Sequence, residues 1–339
     1  MAHRRSPGAD GFRMPAEWAP HLRTWMMWPC RDGVWDDIAA TRAAYRDVAH
    51  AIRRFEPVSM IVRPGDAAGA RDLLGSDIAL LECPIDDSWS RDAGPCFLVD
   101  GKGGRAGVSF RFNAWGGKYH PHDADDRVAA AILAAAGVPA YASPLVAEGG
   151  GISVDGEGTV LTTLSCFPNA NRNPDWTVAE IEEELKAMLG ADKVIWLPGN
   201  PAETETDGHV DGIATFVAPG KVLMEAEGSA DHPFRAINRA NLDAMAGQTD
   251  ARGRPIEVIV IPEAESVETD DDRFCRSYVN SYLVNGGVVM PAYGVPEDGL
   301  ARATWQALFP DREVALVDIS AIAPGGGGIH CITQQEPAP

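Results

Sequence analysis

A cysteine close to the end of the chain follows a run of four glycines. The segment 325–335 reads GGGGIHCITQQ, which places Cys331 three residues after Gly328. Glycines carry no side chain, so a substrate atom and backbone amides could both approach the sulfur closely. Ile329 and Ile332 flank the cysteine as the apolar residues of a short buried strand would. The pattern favours a nucleophile over the alternative, a flexible glycine-rich tail with an incidental cysteine.

Four further polar residues could act together with such a thiol. His209 and Asp211 belong to a DGHVD segment, Asp92 ends a WSRD segment, and Glu148 precedes three glycines. A thiol with a histidine and an acid is a set for acyl or amidine transfer, in which the thiolate attacks and the imidazole moves protons. Several carboxylates would oppose a developing oxyanion, but they can hold a planar guanidinium cation. The residues therefore favour hydrolysis of a guanidine, through a thiouronium and with loss of ammonia, over hydrolysis of a peptide or an ester.

Some of these residues also have purely structural interpretations. Asp92 could pair with the adjacent Arg91 or cap a turn, and Glu148 could cap the turn formed by its glycines. Trp89 and Trp115 could pack in the core or wall a cation pocket, since an indole face is a favourable neighbour for a guanidinium.

A metal site is a further alternative. His209 and Asp211 are two residues apart in a predicted strand and would share one face, either as a buried hydrogen-bonded pair or as two metal ligands. Only the carboxylates could complete such a site. The six cysteines are spread over the chain without a CxxC pair, which is typical of reduced cytosolic thiols and argues against a structural metal.

Composition and charge limit the classes of partner. The 339 residues are 45% hydrophobic, enough for a large core, and the formal net charge is −20. Such a surface repels nucleic acid and anionic membranes and attracts a cationic substrate. Residues 1–13 hold three arginines but no apolar run behind them. We expect them to be a loose tail, neither a signal peptide nor a membrane span.

The elements that must position these residues repeat along the chain as an apolar hairpin, a helix and a short β-branched strand. The spacing predicts helices over 36–55, 124–136, 177–189, 233–246 and 300–308. The strands after the helices are predicted over 58–63, 78–85, 140–146, 194–197, 256–261 and 313–319. The predicted hairpins pair 96–100 with 106–112, 151–154 with 160–164, 212–217 with 222–225, and 281–284 with 288–291.

Four or five such repeats predict an α/β fold that closes into one domain over residues 14–339, because each repeat leaves an apolar face for its neighbour to cover. Asp92, Glu148, His209 and Cys331 each follow the last strand of a successive repeat. Strand ends gathered around a common centre would bring these residues together.

Several segments resemble, in this order, the agmatine deiminases of the bacterial peptidyl-arginine-deiminase-like branch of the guanidino-group-modifying (pentein) superfamily. The resemblance covers nearly the whole chain. It implies a five-bladed α/β propeller with a central substrate tunnel, no metal or organic cofactor, a cytoplasmic location and, commonly, a homo-oligomer. The segments lie at 14–18, 25–29, 86–95, 112–118, 148–150, 171–174, 206–211 and 325–335.

The resemblance also implies roles for the polar residues. Cys331 would be the nucleophile and His209 the residue that transfers protons. Asp92 and Asp211 would clamp the guanidinium, and Glu148 would contact both the substrate and the histidine.

Further contacts to substrate are expected at Trp89, Trp115 and Gly328. Agmatine-specific members of the family have Asn where this chain has Gly212 and Gly328. Both differences lie close to the catalytic centre. They leave the chemistry intact and imply a roomier pocket that lacks a hydrogen-bonding amide.

The leading hypothesis is hydrolysis of agmatine to N-carbamoylputrescine, a step towards putrescine, and ammonia. The alternatives are deimination of another guanidine metabolite or of peptidyl arginine, amidino transfer on the same fold, and a non-catalytic binding module. Free arginine would need a basic partner for its carboxylate, for which Lys118 and Arg172 are the nearest candidates in the motifs.

Overall fold

The structure, a computed structural model, describes residues 5–339, in which the chain forms sixteen β-strands and eight α-helices. The strands are β1 (His21–Met27), β2 (Val58–Val62), β3 (Ala79–Glu82), β4 (Cys96–Val99), β5 (Arg105–Arg111), β6 (Ala140–Val146), β7 (Ser153–Val154), β8 (Thr159–Thr163), β9 (Lys193–Leu197), β10 (Ala214–Ala218), β11 (Lys221–Glu225), β12 (Glu257–Ile261), β13 (Tyr282–Val284), β14 (Gly287–Ala292), β15 (Glu313–Asp318) and β16 (Gln334–Pro337). The helices are α1 (Ile38–Arg53), α2 (Ala67–Leu74), α3 (Ser90–Ala93), α4 (Ala114–Gly117), α5 (Val128–Ala136), α6 (Val178–Leu189), α7 (Arg235–Met245) and α8 (Glu297–Leu308).

The strands of the described chain assemble into five separate sheets. Their orders are β16-β1-β2-β3, β4-β5-β6, β7-β8-β9, β10-β11-β12 and β13-β14-β15. In each of the last four sheets an antiparallel hairpin is followed, after a helix, by a strand parallel to the second hairpin strand. The first sheet has the same arrangement, but its antiparallel partner β16 comes from the chain end. The predicted repeat of hairpin, helix and strand is therefore present.

Local sequence explains where these elements begin and turn. At the start of α1, the Asp37 carboxylate accepts hydrogen bonds from two backbone amides of the first turn. At α6, Thr177 and Glu180 form a reciprocal capping box. The hairpin β13–β14 turns at Gly286, whose φ of 74° is a conformation that glycine adopts at no steric cost. The predicted helices begin and end within a few residues of the observed bounds.

The hydrophobic core is divided among four clusters of buried side chains. The largest packs α1 and the first sheet against the segment that carries Cys331, and it includes Trp28, Tyr45, Trp89 and Trp115. Cys331, the expected nucleophile, therefore belongs to the main core and does not lie in a surface loop. Within residues 5–339, no helix is both long and apolar enough to cross a membrane.

Two predicted strands are partly wrong near the expected site. The strand predicted at 151–154 begins only at β7, because Gly149–Gly151 forms a 3-10 turn. The strand predicted at 212–217 begins at β10, because Val210–Gly212 forms another 3-10 turn. Both departures occur where polar side chains turn inward, so tertiary contacts outweigh the local strand pattern.

Residues 1–13 were predicted to be a loose tail. The part of this segment that the structure describes packs against the rest of the protein. The amide of Gly8 donates to the carbonyl of Ala187 at 3.0 Å, and Arg13 forms an antiparallel bridge with Val99. Arg13 also donates from Nε to the carbonyl of Gly190 at 3.0 Å. Residues 1–4 lie outside the described residues.

Candidate active site

Cys331 lies in a buried turn between a 3-10 turn at Ala323–Gly325 and strand β16. Its Sγ lies 3.2 Å from Asn280 Nδ2, which donates a hydrogen bond, and 3.5 Å from Asp211 Oδ2. A Cβ added at Gly327 would lie 3.1 Å from this sulfur and 2.5 Å from the Trp89 ring, so only glycine allows this approach. The segment is therefore ordered and closely packed, although it forms a turn and not the predicted strand.

His209 precedes the 3-10 turn that carries Asp211, so the pair does not lie in a strand as predicted. The loop before it is held by the Glu203 carboxylate, which accepts hydrogen bonds from the amides of Thr206 and Gly208 at 3.0 Å. Asp207 has a φ of 62°, a strained conformation for a non-glycine residue. Such strain persists where surrounding contacts fix the backbone. Here these contacts direct the His209 side chain into the protein.

The imidazole of His209 and two carboxylates converge on the backbone of Gly150. The amide of Gly150 donates to Asp92 Oδ1 at 2.9 Å. A Cβ added at Gly150 would lie 2.6 Å from His209 Nδ1, 2.7 Å from Asp92 Oδ1 and 3.1 Å from Asp211 Oδ2. The glycine after Glu148-Gly149 is therefore required for close approach, and Glu148 does not serve as a simple turn cap.

Glu148 lies on the other side of the imidazole and is completely buried. Its Oε2 is 3.6 Å from His209 Nε2, while Oε1 accepts a hydrogen bond from Arg172 Nε at 2.9 Å. Among residues 5–339, neither ring nitrogen of His209, which is 4% exposed, has a hydrogen-bond partner. Nδ1 is 3.8 Å from Asp92 Oδ1. The imidazole is thus poised between two carboxylates with both nitrogens free to act on a bound molecule.

Asp92 makes no pair with Arg91, the structural alternative considered above. Trp115 Nε1 donates to Asp92 Oδ2 at 2.9 Å. The nearest acid to Arg91 Nη1 is Glu17, at 3.6 Å. Asp92 therefore faces the site with one oxygen fixed by the backbone of Gly150 and the other by an indole.

Burial and charge shift the site pKa values in opposite directions. Burial raises the pKa of Asp92, and the nearby charges of Asp211 and Glu148 add to this effect against the attraction of His209. Burial also acts to raise the pKa of Asp211, but the hydrogen bond and charge of His330 outweigh it and lower the value. Two carboxylates at one centre with opposed shifts are typical of an active site.

The thiol and the imidazole are shifted as well. Burial raises the pKa of Cys331 well above 9.0, and the charges of Asp211 and Asp92 raise it further. Burial acts to lower the pKa of His209, but Asp92 and other neighbours outweigh it and hold it well above 6.5. Both shifts favour a protonated thiol and a charged imidazole in the site without a ligand.

Two cavities meet at Cys331. A narrow one, of about 20 Å³, is lined by Trp89, Trp115 and Asp92 and also by Glu205 and Asp87. The two indoles therefore face the site as well as the core.

The second cavity, of about 150 Å³, is lined by His209, Asp211 and Gly212. A Cβ at Gly212 would meet no atom within 4 Å, in agreement with the roomier pocket expected there. A larger open depression of about 810 Å³ beside residues 8–15 contains none of the predicted site residues.

Among the described residues, Gly328 does not line either cavity, and its contact with substrate stays a prediction. Asn280 leaves no room for a side chain at Gly328, because a Cβ there would lie 2.6 Å from Asn280 Oδ1. The amide group next to the thiol therefore comes from Asn280.

Comparison with known proteins assigns the chain to a family. A profile of the Porphyromonas-type peptidyl-arginine deiminase family matches residues 13–337. The chain belongs to this family. A protein of Streptomyces avermitilis is 47% identical over 342 residues, which cover 98% of this chain and 99% of its own. The agmatine deiminase of Pseudomonas aeruginosa is 43% identical over 359 residues, with 98% of each chain covered.

Solved structures agree with this deiminase family. The agmatine deiminase of Enterococcus faecalis is similar with a TM-score of 0.95 at 36% identity, over 100% of this chain and 99% of its own. DDAH from Pseudomonas aeruginosa, at a TM-score of 0.50 and 16% identity over 93% of this chain and 99% of its own, shares the fold alone. The mixed α/β chain thus has the pentein fold.

Several residues of this deiminase-family site were missed by sequence reasoning. His330, Glu17 and Asn280 contact Asp211, His330 and the thiol respectively. Two of them lie inside segments that carried the family resemblance, at 14–18 and 325–335, and that position was the available signal. Asn280 had no such signal.

The residues that could hold a metal differ from the predicted pair. Among the described residues, the ligand atoms of Glu148, Cys166 and His209 lie within 4.8 Å of one another. Asp211 is not part of that group. The Arg172 guanidinium on Glu148 opposes a second cation there, so the donor set fits a metal ion poorly.

Proposed function

We propose that the protein is an agmatine deiminase, which hydrolyses agmatine to N-carbamoylputrescine and ammonia. The observation that carries the proposal is the convergence of one thiol, one imidazole without partners and three carboxylates in a buried site. A non-catalytic binding module has no need for this combination. The agmatine deiminases among the family relatives support the choice of substrate.

In this mechanism, the guanidinium binds between Asp92 and Asp211 and favours loss of the Cys331 proton to solvent, since a cation stabilises the thiolate. The sulfur attacks the guanidinium carbon. His209 transfers its proton to the departing nitrogen, the C–N bond breaks, and ammonia leaves a thiouronium on the cysteine. Glu148 supports the imidazolium.

The second half restores the enzyme. His209 removes one proton from a water molecule, whose oxygen attacks the same carbon, and the other water proton passes to solvent. The C–S bond then breaks, the thiolate leaves, and the alkylurea product is released. The steps require no oxidant, reductant or metal ion.

The charges around the narrow cavity favour a substrate with a second cation. Glu205 and Asp87 line it together with the tryptophans, and Asp87 is paired with Arg31 at 2.8 Å. The two basic residues considered for an arginine carboxylate are already paired, because Lys118 and Arg172 both bind Asp207. Agmatine, which has an ammonium where arginine has its ammonium and carboxylate, is therefore preferred.

We also infer that the five sheets are the blades of a propeller that closes residues 14–339 into one domain. Contacts between sheets support this arrangement: β7 contacts β10, and β4 contacts β16. A cytoplasmic location and a homo-oligomeric state stay predictions from the resemblance.

The test of function is a comparison of kcat/KM for agmatine, arginine, an arginyl peptide and butylguanidine, measured side by side as released ammonia. The Cys331→Ala variant gives the background. We expect agmatine to be the best substrate. Turnover of arginine or butylguanidine at an equal or higher kcat/KM would reject agmatine as the substrate, and the open space at Gly212 would then favour a bulkier guanidine.

A further inference from the structure

A chain of hydrogen bonds runs from the start of the protein to the active site through His330. His330 Nδ1 lies 2.8 Å from Asp211 Oδ2, and His330 Nε2 lies 2.8 Å from Glu17 Oε1. All three side chains are more than nine-tenths buried. Although His330 is adjacent to Cys331 in sequence, its ring contacts Asp211 and Glu17 and leaves the thiol to other neighbours.

The geometry specifies the charge of this histidine. Ionised carboxylates only accept hydrogen bonds, so an imidazole between two of them must donate from both nitrogens and be protonated. The charged groups that face His330 are Asp211, Glu17 and Arg91. Arg91 Nε donates to the His330 carbonyl at 3.3 Å, and its Nη1 lies 3.6 Å from Glu17.

We propose that Glu17 and His330 are positioning residues that hold Asp211 ionised and oriented to bind the guanidinium of the substrate. The proposal rests on the proposed function for the meaning of Asp211 as a guanidinium ligand. A carboxylate placed beside Asp92 needs a compensating cation, and His330 supplies it at Asp211 Oδ2.

The pKa shifts agree with this arrangement. Burial acts to raise the pKa of Glu17, but His330 and Arg91 lower it to about 2. Burial and Arg91 act to lower the pKa of His330, but Glu17 and Asp211 raise it above 6.5. Asp211 thus has a cation of its own in His330, as Glu148 has in Arg172, while the pKa of Asp92 is raised.

The experiment compares the pH profiles of kcat/KM for the wild type, His330→Asn and Glu17→Gln. Without the imidazolium, the pKa of Asp211 should rise beyond that of Asp92, because loss of an adjacent opposite charge raises a carboxyl pKa by about one unit or more. The acid limb of the profile follows the essential carboxylate with the higher pKa, so it should move to higher pH. Glu17→Gln should move the acid limb in the same direction but by less, because His330 still pairs with Asp211 in this variant.

A matched control separates positioning from stability. His21 forms a buried pair with Glu56 at 3.1 Å. Its hydrogen bond with Glu17 is to the backbone carbonyl and not to the carboxylate. His21→Asn should lower Tm without moving the acid limb. An acid limb that stays at its wild-type position in His330→Asn, with a loss of Tm alone, would overturn the proposal.

A second readout does not depend on the identity of the substrate. Cys331 is alkylated with chloroacetamidine, a cation, and with chloroacetamide, its neutral analogue, and the two rates are compared at about pH 4, near the ordinary pKa of an aspartate, where a shift of one unit changes the charge on the carboxylate. His330→Asn should reduce the preference for the cation by roughly tenfold. An unchanged preference contradicts the positioning role, whereas failure to hydrolyse agmatine contradicts only the proposed function.

Discussion

At the scale of single residues, the site places a thiol with a raised pKa next to two acids. Burial and the charges of Asp211 and Asp92 raise the pKa of Cys331 and so favour its protonated form, and a bound cation would favour the thiolate. The enzyme would thus be protected from neutral electrophiles while its site is empty, because the thiolate is the reactive form.

We therefore expect slow alkylation of Cys331 by neutral iodoacetamide in the free protein. Since a raised pKa delays ionisation, the rate should still be increasing at pH 9.0, the ordinary pKa of a thiol, without a plateau. Peptide mapping gives the rate at Cys331, and the urea-unfolded protein is the control. A plateau near neutral pH would mean that the thiol is already ionised without substrate.

The pair of Arg172 and Glu148 gives a prediction for stability. Arg172→Met would leave the completely buried Glu148 without its cation, and the free energy of unfolding should fall by roughly 3–5 kcal/mol. Arg54→Met removes an exposed pair with Glu313 and should cost much less. Urea denaturation of both variants measures the difference, and equal losses would contradict the account.

At the scale of elements, turns and not strands aim the catalytic groups. Glu148, Gly149 and Gly150 enter one 3-10 turn, and Asp211 lies in another. These short turns have no periodic sequence signal, so sequence alone placed His209 and Asp211 in a strand. The hairpins and helices could be predicted, because their apolar spacing and turn glycines are local signals.

The same reasoning explains which parts of the site could be predicted. Cys331 and His209 stand in short glycine-containing segments and were identified directly. The contact between Glu17 and His330 joins residues 313 apart in sequence, and only the folded chain shows it. The expected contact of Gly328 with substrate stays a prediction, and sequence alone did not show that Asn280 occupies the space beside this glycine.

The turn at Gly150 gives a prediction at this scale. In Gly150→Ala the new Cβ would overlap His209 and Asp92 and displace both, and we expect a loss in kcat/KM of roughly 100-fold with a folded protein. Gly299→Ala is the matched control, since a Cβ in that turn of α8 meets no atom within 4 Å. It should raise stability by roughly 0.5–1 kcal/mol without loss of activity. Similar kcat/KM values for the two variants would show that Gly150 does not set the geometry.

At the scale of the whole molecule, the first and last strands of the described chain pair beside the site. Strand β16 follows Cys331 directly and pairs with β1, which fixes the nucleophile against the first sheet. The net charge of −20 surrounds this centre with a field that attracts cations.

This field gives a prediction about salt. As ionic strength rises, kcat/KM should fall more for the dication agmatine than for the monocation butylguanidine, since screening acts on each charge of the substrate. Steady-state kinetics at several salt concentrations measure the ratio. A ratio that does not change with salt would show that the net charge plays no part in substrate capture.

The most direct test of the account is to find the covalent intermediate. Agmatine is mixed with the enzyme, the reaction is quenched in acid within one turnover, and the peptides are analysed by mass spectrometry. We expect an amidino adduct on the peptide that contains Cys331, and none in the Cys331→Ser variant. An adduct on another cysteine, or full hydrolysis of agmatine by Cys331→Ser, would contradict the central claim that this thiol carries the reaction.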